Sequence, residues 1–429
     1  MRSQVLSNGR KNRAQNKAPQ RVFVGLSGGV DSAVSAALLK KAGYDVHGVF
    51  IKVWQPEWIT CNWKEERLEA MRVAAHLGIP FITLDLEKEY KEEVIDYMIA
   101  EYKAGRTPNP DVMCNRYVKF GAFWDFARGK GADFIATGHY ARVIVRDQTS
   151  RCLDVAGPAL SLRQVLPASA HRSAGRIDLR DASGPSNVTY SLLTGRDGNK
   201  DQSYFLWTLN QRDLPHILFP VGDITKPEVR RLAKKFKLPN AEKKDSQGLC
   251  FIGKVDVKNF LKHYIDSKPG NVLDEAGLVI GNHPGSELFT IGERHGFTIT
   301  EKTPNDHAYY VVDKDVEQNT ITVSNRDASN SMGGAKKLVR ISNVNWVGGT
   351  VPELTVDKNS IGRRDLPASQ FPLQARSRYR QQLSNIRIVS VNISETVLEF
   401  EKPQDTLTPG QSLVIYKGEE CLGGGVIEG

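Results

Sequence analysis

Apolar and polar positions alternate with two different periods along this chain. Val22-Phe23-Val24-Gly25-Leu26 is an apolar run that reads as a buried strand, and 33–39 carries helical spacing closed by Gly43. The same alternation predicts a strand over 45–53, an amphipathic helix over 65–77 stopped by Gly78, and a strand over 79–84. A charged helix follows over 88–103, then a loop over 105–110 stiffened by Pro108 and Pro110. Helix resumes over 118–128, and a short buried strand over 133–137 is closed by Gly138-His139-Tyr140. Strands alternating with helices in this way predict an α/β doubly wound parallel sheet. Ligands in such sheets collect beyond the carboxyl ends of strands, which is where 26–32 and 138–140 fall.

Periodicity lapses over about 153–189, where Ala, Ser, Gly, Pro and Arg dominate, and this predicts a long disordered insertion. Helical spacing returns over 226–235. From about Gly277 the chain becomes short alternating runs punctuated by Gly and Asn, such as 308–312 and 412–416, which predict a small β-barrel. The expected organisation is a basic tail over 1–20, a catalytic domain over 21–252, a small central domain over 253–316 and a β-barrel over 317–429.

Charge and cysteine usage narrow the class. The chain of 429 residues has a formal net charge of +9, which favours a polyanionic partner. No apolar run approaches the roughly 18 residues of a membrane span. Five cysteines, Cys61, Cys114, Cys152, Cys250 and Cys421, are odd in number and scattered, so a disulfide framework is not expected. Residues 1–20 contain Arg2, Arg10, Lys11, Arg13 and Lys17 and no acid. Such a segment suits mitochondrial import. It equally suits a basic tail that helps hold RNA in a cytoplasmic protein.

The chemistry begins at Ser27-Gly28-Gly29-Val30-Asp31-Ser32, between the first strand and the first helix. A Gly-rich turn there aims backbone N–H groups and serine hydroxyls at a phosphate, and Asp31 can hold a magnesium ion beside it. The Gly-Lys-Ser/Thr ending of a Walker loop and the three spaced glycines of a dinucleotide fingerprint are both missing. What remains resembles the pyrophosphate loop (PP-loop) of the ATP pyrophosphatases, which split ATP to adenylate a substrate oxygen.

Two cysteines have positions that suit reactivity. Cys114 follows Asn109-Pro110-Asp111-Val112-Met113, just before the expected helix, with Arg116 and Lys119 nearby to favour a thiolate. Asp111 can orient a substrate or handle a proton. Cys250 lies on a Gly-flanked segment headed by Lys243 and Lys244, which suits a mobile carrier of persulfide sulfur.

Eight segments in order resemble one family, the tRNA-specific 2-thiouridylases, from about Arg21 to the C-terminus. They are Gly25-Leu-Ser-Gly-Gly-Val-Asp-Ser32, Gly105-Arg-Thr-Pro-Asn-Pro-Asp111 with Cys114-Asn115, Ala136-Thr-Gly-His-Tyr140 and Lys200-Asp-Gln-Ser-Tyr-Phe205. Phe219-Pro-Val-Gly222, Asp245-Ser246 with Gly248 and Cys250-Phe-Ile-Gly253, Arg378-Tyr-Arg-Gln381 and Thr408-Pro-Gly-Gln411 complete the set. The resemblance implies an adenine nucleotide α-hydrolase-like PP-loop fold, and an enzyme that uses ATP with Mg²⁺ to replace the C2 oxygen of the wobble uridine with sulfur. It implies an ATP site of Gly25, Leu26, Ser27, Gly28, Gly29, Val30, Asp31, Ser32, Ile51 and Gly138, with Ile51 where the family usually has Met. Asn109, Pro110 and Asp111 would meet the target base, Cys114 would be the nucleophile, and Cys250 would bear the persulfide. His139, Lys200, Asp201, Gln202, Arg378, Tyr379 and Gln411 would contact tRNA.

The implied partners are the anticodon stem-loop of a tRNA and a protein that donates persulfide sulfur, with the chain acting as a monomer. The insertion and the basic tail depart from compact bacterial members and suggest an organellar version. Three alternatives stay open from the residues alone. They are an amidotransferase-like ATP pyrophosphatase, a non-catalytic tRNA-binding protein with a relic loop, and an iron–sulfur cluster on Cys114, Cys250 and Asp111.

Overall fold

The computed structural model of this chain describes residues 18–59, 63–147, 188–244, 256–300, 307–325, 336–352, 373–392, 394–404 and 407–429. Cys61, Cys152, Cys250, the basic residues 2–17 and 153–187 of the expected insertion lie outside these.

The first domain is built on β1 (Arg21–Gly25), β2 (Asp45–Lys52), β3 (Phe81–Asp85) and β4 (Phe134–Ala136). After an antiparallel hairpin of β5 (Ala141–Asp147) and β6 (Val188–Thr194), β7 (Ile217–Leu218) completes the sheet. The order is β3-β2-β1-β4-β7, and every pairing is parallel. Val22, Val24 and Phe23 are buried, as a parallel sheet covered on both faces requires. Successive strands depart from β1 toward β2 on one side and β4 on the other, so the crevice at the carboxyl end of β1 is the switch point of the sheet.

Four helical stretches accompany these strands: α1 (Val30–Lys41), α2 (Trp63–Leu77), α3 over 87–103 and α4 over 110–129. Both α3 and α4 contain a stretch of wider π-helical turns, Lys91–Asp96 and Cys114–Ala122. The helix expected from 118 therefore begins at Pro110. Asn109 caps it, accepting from the Val112 N–H at 3.4 Å, and Pro110 occupies the first turn, where its missing N–H costs nothing. Cys114 consequently lies inside the helix rather than ahead of it. Further along, α5 (Lys226–Lys235) follows β7 and packs on α1, with Val229 and Ala233 against Val30, Ala33 and Val34.

A short helix, α6 (Val257–Leu261), leads into the central sheet of β8 (Gly270–Leu273), β9 (Val279–His283), β10 (Thr298–Ile299), β11 (Tyr310–Asp315) and β12 (Thr320–Ser324). Its order is β10-β9-β8-β12-β11. Because β12 pairs with both β11 and β8, the central sheet runs through Ser324, past the boundary expected at 316.

The C-terminal strands are β13 (Lys336–Trp346), β14 (Leu373–Arg376), β15 (Ser384–Val391), β16 (Glu395–Gln404), β17 (Ser412–Lys417) and β18 (Glu420–Ile427). They run in the order β13-β16-β15-β14-β17-β18, and β18 returns to β13, closing a six-stranded barrel. Ile341, Ile386, Leu398, Phe400, Leu413 and Ile415 fill it. The β5–β6 hairpin extends this sheet, not the first one: Leu192 and Leu193 pair with Cys421 and Glu420. The strand at Val188 also cuts short the insertion expected to run to 189.

The phosphate loop, the cysteine helix and the candidate active site

The loop that leaves β1 is held by its own side chains. Ser32 Oγ donates to the Gly29 carbonyl at 3.1 Å and accepts from the Ser27 N–H at 3.3 Å. Ser27 Oγ accepts from the Gly29 N–H at 3.4 Å. Gly28 adopts φ +73°, and a Cβ there would lie 2.8 Å from the Glu66 carbonyl of α2, so only glycine fits. The buried Asn240 donates to the Gly28 carbonyl at 2.9 Å, and its own oxygen has no partner among the described residues. Glu69 pairs with Lys243 beside the same glycine, and burial raises the neighbouring Glu66 carboxyl above its ordinary range. Leu26 and Ile51 are buried, and Leu26 N–H bonds to the Val49 carbonyl at 2.7 Å.

The turn at the end of β4 joins this loop to the cysteine helix. A Cβ on Gly138 would come within 2.7 Å of the Ser32 nitrogen and 2.9 Å of the Asp31 carbonyl carbon, so glycine lets the turn press on the start of α1. One residue on, His139 packs against Phe120 of α4 at 5.7 Å between ring centroids, and its Nδ1 lies 2.6 Å from Thr137 Oγ1. The imidazole is 8% exposed, and burial, reinforced by the Lys119 cation, holds it well below its ordinary pKa. His139, whose expected role is an RNA contact, packs against both Phe120 and Phe219. Tyr140 donates its hydroxyl to Asp31 Oδ1 at 2.8 Å.

Cys114 is fully buried, next to Asn115, which donates to the Phe205 carbonyl at 3.0 Å. Asp111 is half-buried in the first turn of α4. The loop before them is gripped by the barrel: Gln411 Nε2 donates to the carbonyls of Thr107 and Pro108, and Thr107 N–H donates to the Pro409 carbonyl at 2.9 Å. Arg378 donates to the Ile291 carbonyl at 3.1 Å and lies 3.5 Å from Thr408 Oγ1, spanning central domain and barrel.

The Lys200-Asp201-Gln202 run divides. Lys200 is half-buried at the surface. Asp201, 4% exposed, forms an ion pair with Arg376, 8% exposed, inside the junction of domain and barrel. Gln202 accepts from the Tyr140 N–H at 3.0 Å. Asp201 therefore builds the junction, while Gln202 is tied to the 137–140 turn. Tyr379 packs on Phe205 at 4.7 Å, Arg380 lies over Tyr379 at 5.0 Å, and its Nε donates to the Asn199 carbonyl at 3.0 Å. A cation and a ring thus sit beside Lys200, an arrangement that suits an unpaired base and its phosphate.

Sequence reasoning missed Lys226. Its ammonium reaches Asp31 Oδ1 at 2.7 Å and Oδ2 at 2.9 Å. Thr225, three residues before Glu228, was the available signal, because that spacing is a capping box and fixes where α5 begins. The other described cysteine, Cys421, is fully buried with its thiol pushed up to about 12 by burial, which makes it inert. Among the described residues no group of three or more His, Cys, Asp or Glu side chains is set to hold a metal ion.

Three domain families match in succession. They are the "tRNA methyl transferase HUP domain" over 20–158 and 176–254, the "tRNA methyl transferase PRC-barrel domain" over 258–325 and the "Aminomethyltransferase beta-barrel domain" over 336–427. Whole-length relatives carry a different activity in their names. The tRNA-specific 2-thiouridylase MnmA 2 of Geobacillus kaustophilus is 39% identical over 96% of this chain and 96% of its own. The tRNA-specific 2-thiouridylase MnmA of Thiobacillus denitrificans is 40% identical over 95% of this chain and 99% of its own. Among solved structures, the U34-tRNA thiolase NcsA of Methanococcus maripaludis with its [4Fe-4S] cluster aligns at 17% identity over 58% of this chain and 66% of its own, TM-score 0.30. A 4-thiouridine synthetase in complex with RNA and ATP aligns at 14% over 58% and 50%, TM-score 0.30. The two whole-length matches, with the loop, the cysteine helix and the barrel in one chain, place this protein in the family of tRNA-specific 2-thiouridylases.

Proposed function

We propose that the chain activates the wobble uridine of a tRNA with ATP and replaces its C2 oxygen with sulfur in two stages. The observation that carries this reading is the 137–140 turn, which has Gly138 against the phosphate loop and His139 against the helix of Cys114. Nucleotide and target base would meet across it.

Uracil O2 is a poor leaving group. In the first stage it attacks the α-phosphate of ATP, pyrophosphate departs, and the N–H groups of 27–32 stabilise the charge that develops. In the second stage the terminal sulfur of a Cys250 persulfide attacks C2, and the C2–O bond breaks as AMP leaves. The Cys114 thiolate then attacks the Cys250 sulfur, the S–S bond breaks toward C2, and a Cys114–Cys250 disulfide remains. An external thiol reduces it. In the variant order, Cys114 attacks first and releases hydrosulfide, which attacks C2. The base must leave its stack to reach this site, where the Asn109 cap fixes the first turn of α4 and Gln411 holds the loop at 107–108 that leads into it.

Both Asp31 oxygens face the Lys226 ammonium and one also takes the Tyr140 hydroxyl, so the carboxylate would be open to a magnesium ion beside the phosphates only once that ammonium moves away. Sulfur from a persulfide-bearing donor protein, action as a monomer and import into mitochondria through 1–20 are parts of the same proposal.

The test supplies purified protein with unmodified tRNA, ATP and a persulfide donor, and measures pyrophosphate release and 2-thiouridine by nuclease digestion and mass spectrometry. Release that depends on tRNA, with thionucleoside formed in equal amount, is the expected result. ATP consumption indifferent to tRNA would point to the amidotransferase-like alternative, and tRNA binding without ATP consumption to the relic-loop alternative.

A further inference from the structure

The residues 26–32 contain neither lysine nor arginine, yet a phosphate chain bound there brings several negative charges. The acids around the loop make the demand larger: Glu66 and Glu69 flank Gly28, and Asp31 stands in the first turn of α1. Lys243 is committed to Glu69. Among the described residues, Lys226 is the cation that pairs with the loop's own Asp31.

Its placement is built rather than incidental. Lys226 opens α5, and its N–H donates to Asp197 Oδ2 at 2.9 Å. Thr225 and Glu228 cap the same turn, with the Thr225 N–H 2.8 Å and its hydroxyl 2.9 Å from Glu228 Oε2. The side chain is 13% exposed, and the Tyr140 hydroxyl shares Asp31 Oδ1 with it. A surface lysine would lose rotamer freedom for little gain in such a position.

We infer that the Lys226 ammonium is the cation of the phosphate loop, binding the β- and γ-phosphates of ATP and the pyrophosphate that leaves, with Asp31 and Tyr140 parking it between turnovers. The inference rests on the reading of 26–32 as the ATP loop. A lysine acts on phosphate as a point charge at the end of a flexible stem, so a change of rotamer is enough to exchange the Asp31 carboxylate for a phosphate oxygen. AMP lacks the two outer phosphates, so its affinity does not depend on this residue.

Calorimetric titration in EDTA tests the inference, using inorganic pyrophosphate and AMP as separate probes on wild type, Lys226→Met and Lys226→Arg. Loss of a charge-assisted contact should weaken pyrophosphate about tenfold or more in Lys226→Met, leave AMP within about twofold, and be largely restored in Lys226→Arg. Equal pyrophosphate affinity in wild type and Lys226→Met, or equal losses for both probes, would overturn it. If Lys226→Met does not fold, Asp31→Asn carries the test, because it frees the ammonium and should tighten pyrophosphate several-fold; unchanged or weaker binding overturns the inference. A wild-type protein that binds neither probe sinks the ATP-loop reading and the inference with it.

Discussion

Gln411 donates its side-chain amide to the Thr107 carbonyl at 2.9 Å, although 304 residues of chain separate them. The same amide reaches the Pro108 carbonyl at 3.0 Å, so one barrel residue pins the loop that leads into the cysteine helix. The expected role of Gln411 was contact with tRNA. Its amide nitrogen holds this loop.

Replacing Gln411 with Ala removes two hydrogen bonds to backbone carbonyls. The expected loss of stability is about 1–3 kcal/mol, read by urea denaturation. Thiolation should fall further than ATP affinity does, because the 107–111 loop and not the phosphate loop is released. Unaltered thiolation in a destabilised protein would show that the loop's position is unimportant to catalysis.

Asp201, expected at the RNA surface, forms a buried ion pair with Arg376. Asp201→Ala leaves Arg376 buried without its counter-charge, which costs about 3–5 kcal/mol. Joint replacement of both by apolar residues should recover much of that loss. Melting curves of the single and double variants measure this directly, while tRNA affinity of the surviving folded fraction stays near wild type. A selective fall in tRNA binding with normal melting would restore Asp201 to the RNA surface.

His139 gives the stability a pH dependence. Burial and the Lys119 cation keep its folded pKa well below the ordinary 6.5. Above 6.5 the imidazole is neutral in both states and costs nothing. As pH falls below that value the unfolded chain takes up a proton that the folded chain refuses, and stability declines by up to about 1.4 kcal/mol per pH unit. His216 and His283, also lowered by burial, add to the trend, so the difference between wild type and His139→Gln isolates the contribution. Denaturant midpoints between pH 5 and 8 should show a steeper acid-side fall in wild type than in the variant. Parallel curves would place a proton on the folded imidazole.

The cysteines should fail in different ways. Cys114→Ser should still load labelled sulfur on Cys250 yet form no 2-thiouridine, whereas Cys250→Ser should adenylate tRNA and load nothing. Because Cys114 is fully buried, it should also resist alkylation in the native protein at a rate limited by opening of the fold. Sulfur loading that survives loss of Cys250, or full product without Cys114, would overturn the assignment. Loss of bound iron in both variants would speak for a cluster.

Four of the five strands of the parallel sheet are legible in the sequence as short apolar runs separated by helical spacing, each within a few residues of its place; the two-residue β7 is too short to leave such a run. The start of α4 is ambiguous in the sequence, because Pro108 and Pro110 suit a stiff loop while Asn109-Pro110 is also the signature of a capped helix start. The π-helical turns at 114–122 leave no periodic signature that a 3.6-residue reading detects. Burial is the other gap. Motif residues such as His139, Asp201 and Gln411 have polar side chains that suit RNA equally well, and only the packing of Phe120, Arg376 and Thr107 around them reveals their internal partners. Lys226 escaped for a related reason: its partner Asp31 is 195 residues away.

The pairing of Leu192 and Leu193 with Cys421 and Glu420 sets the schedule on which this molecule can be made. A ribosome delivers β6 more than two hundred residues before it delivers β18. Until the last strand emerges, the edge of the β5–β6 hairpin has no neighbour on that side, and Asp201 waits for the barrel that carries its partner Arg376. Contacts of such long sequence separation form late and slowly. The nascent N-terminal half therefore waits with an open strand edge, and a chain cut short before residue 420 loses the seam that joins its first domain to its last.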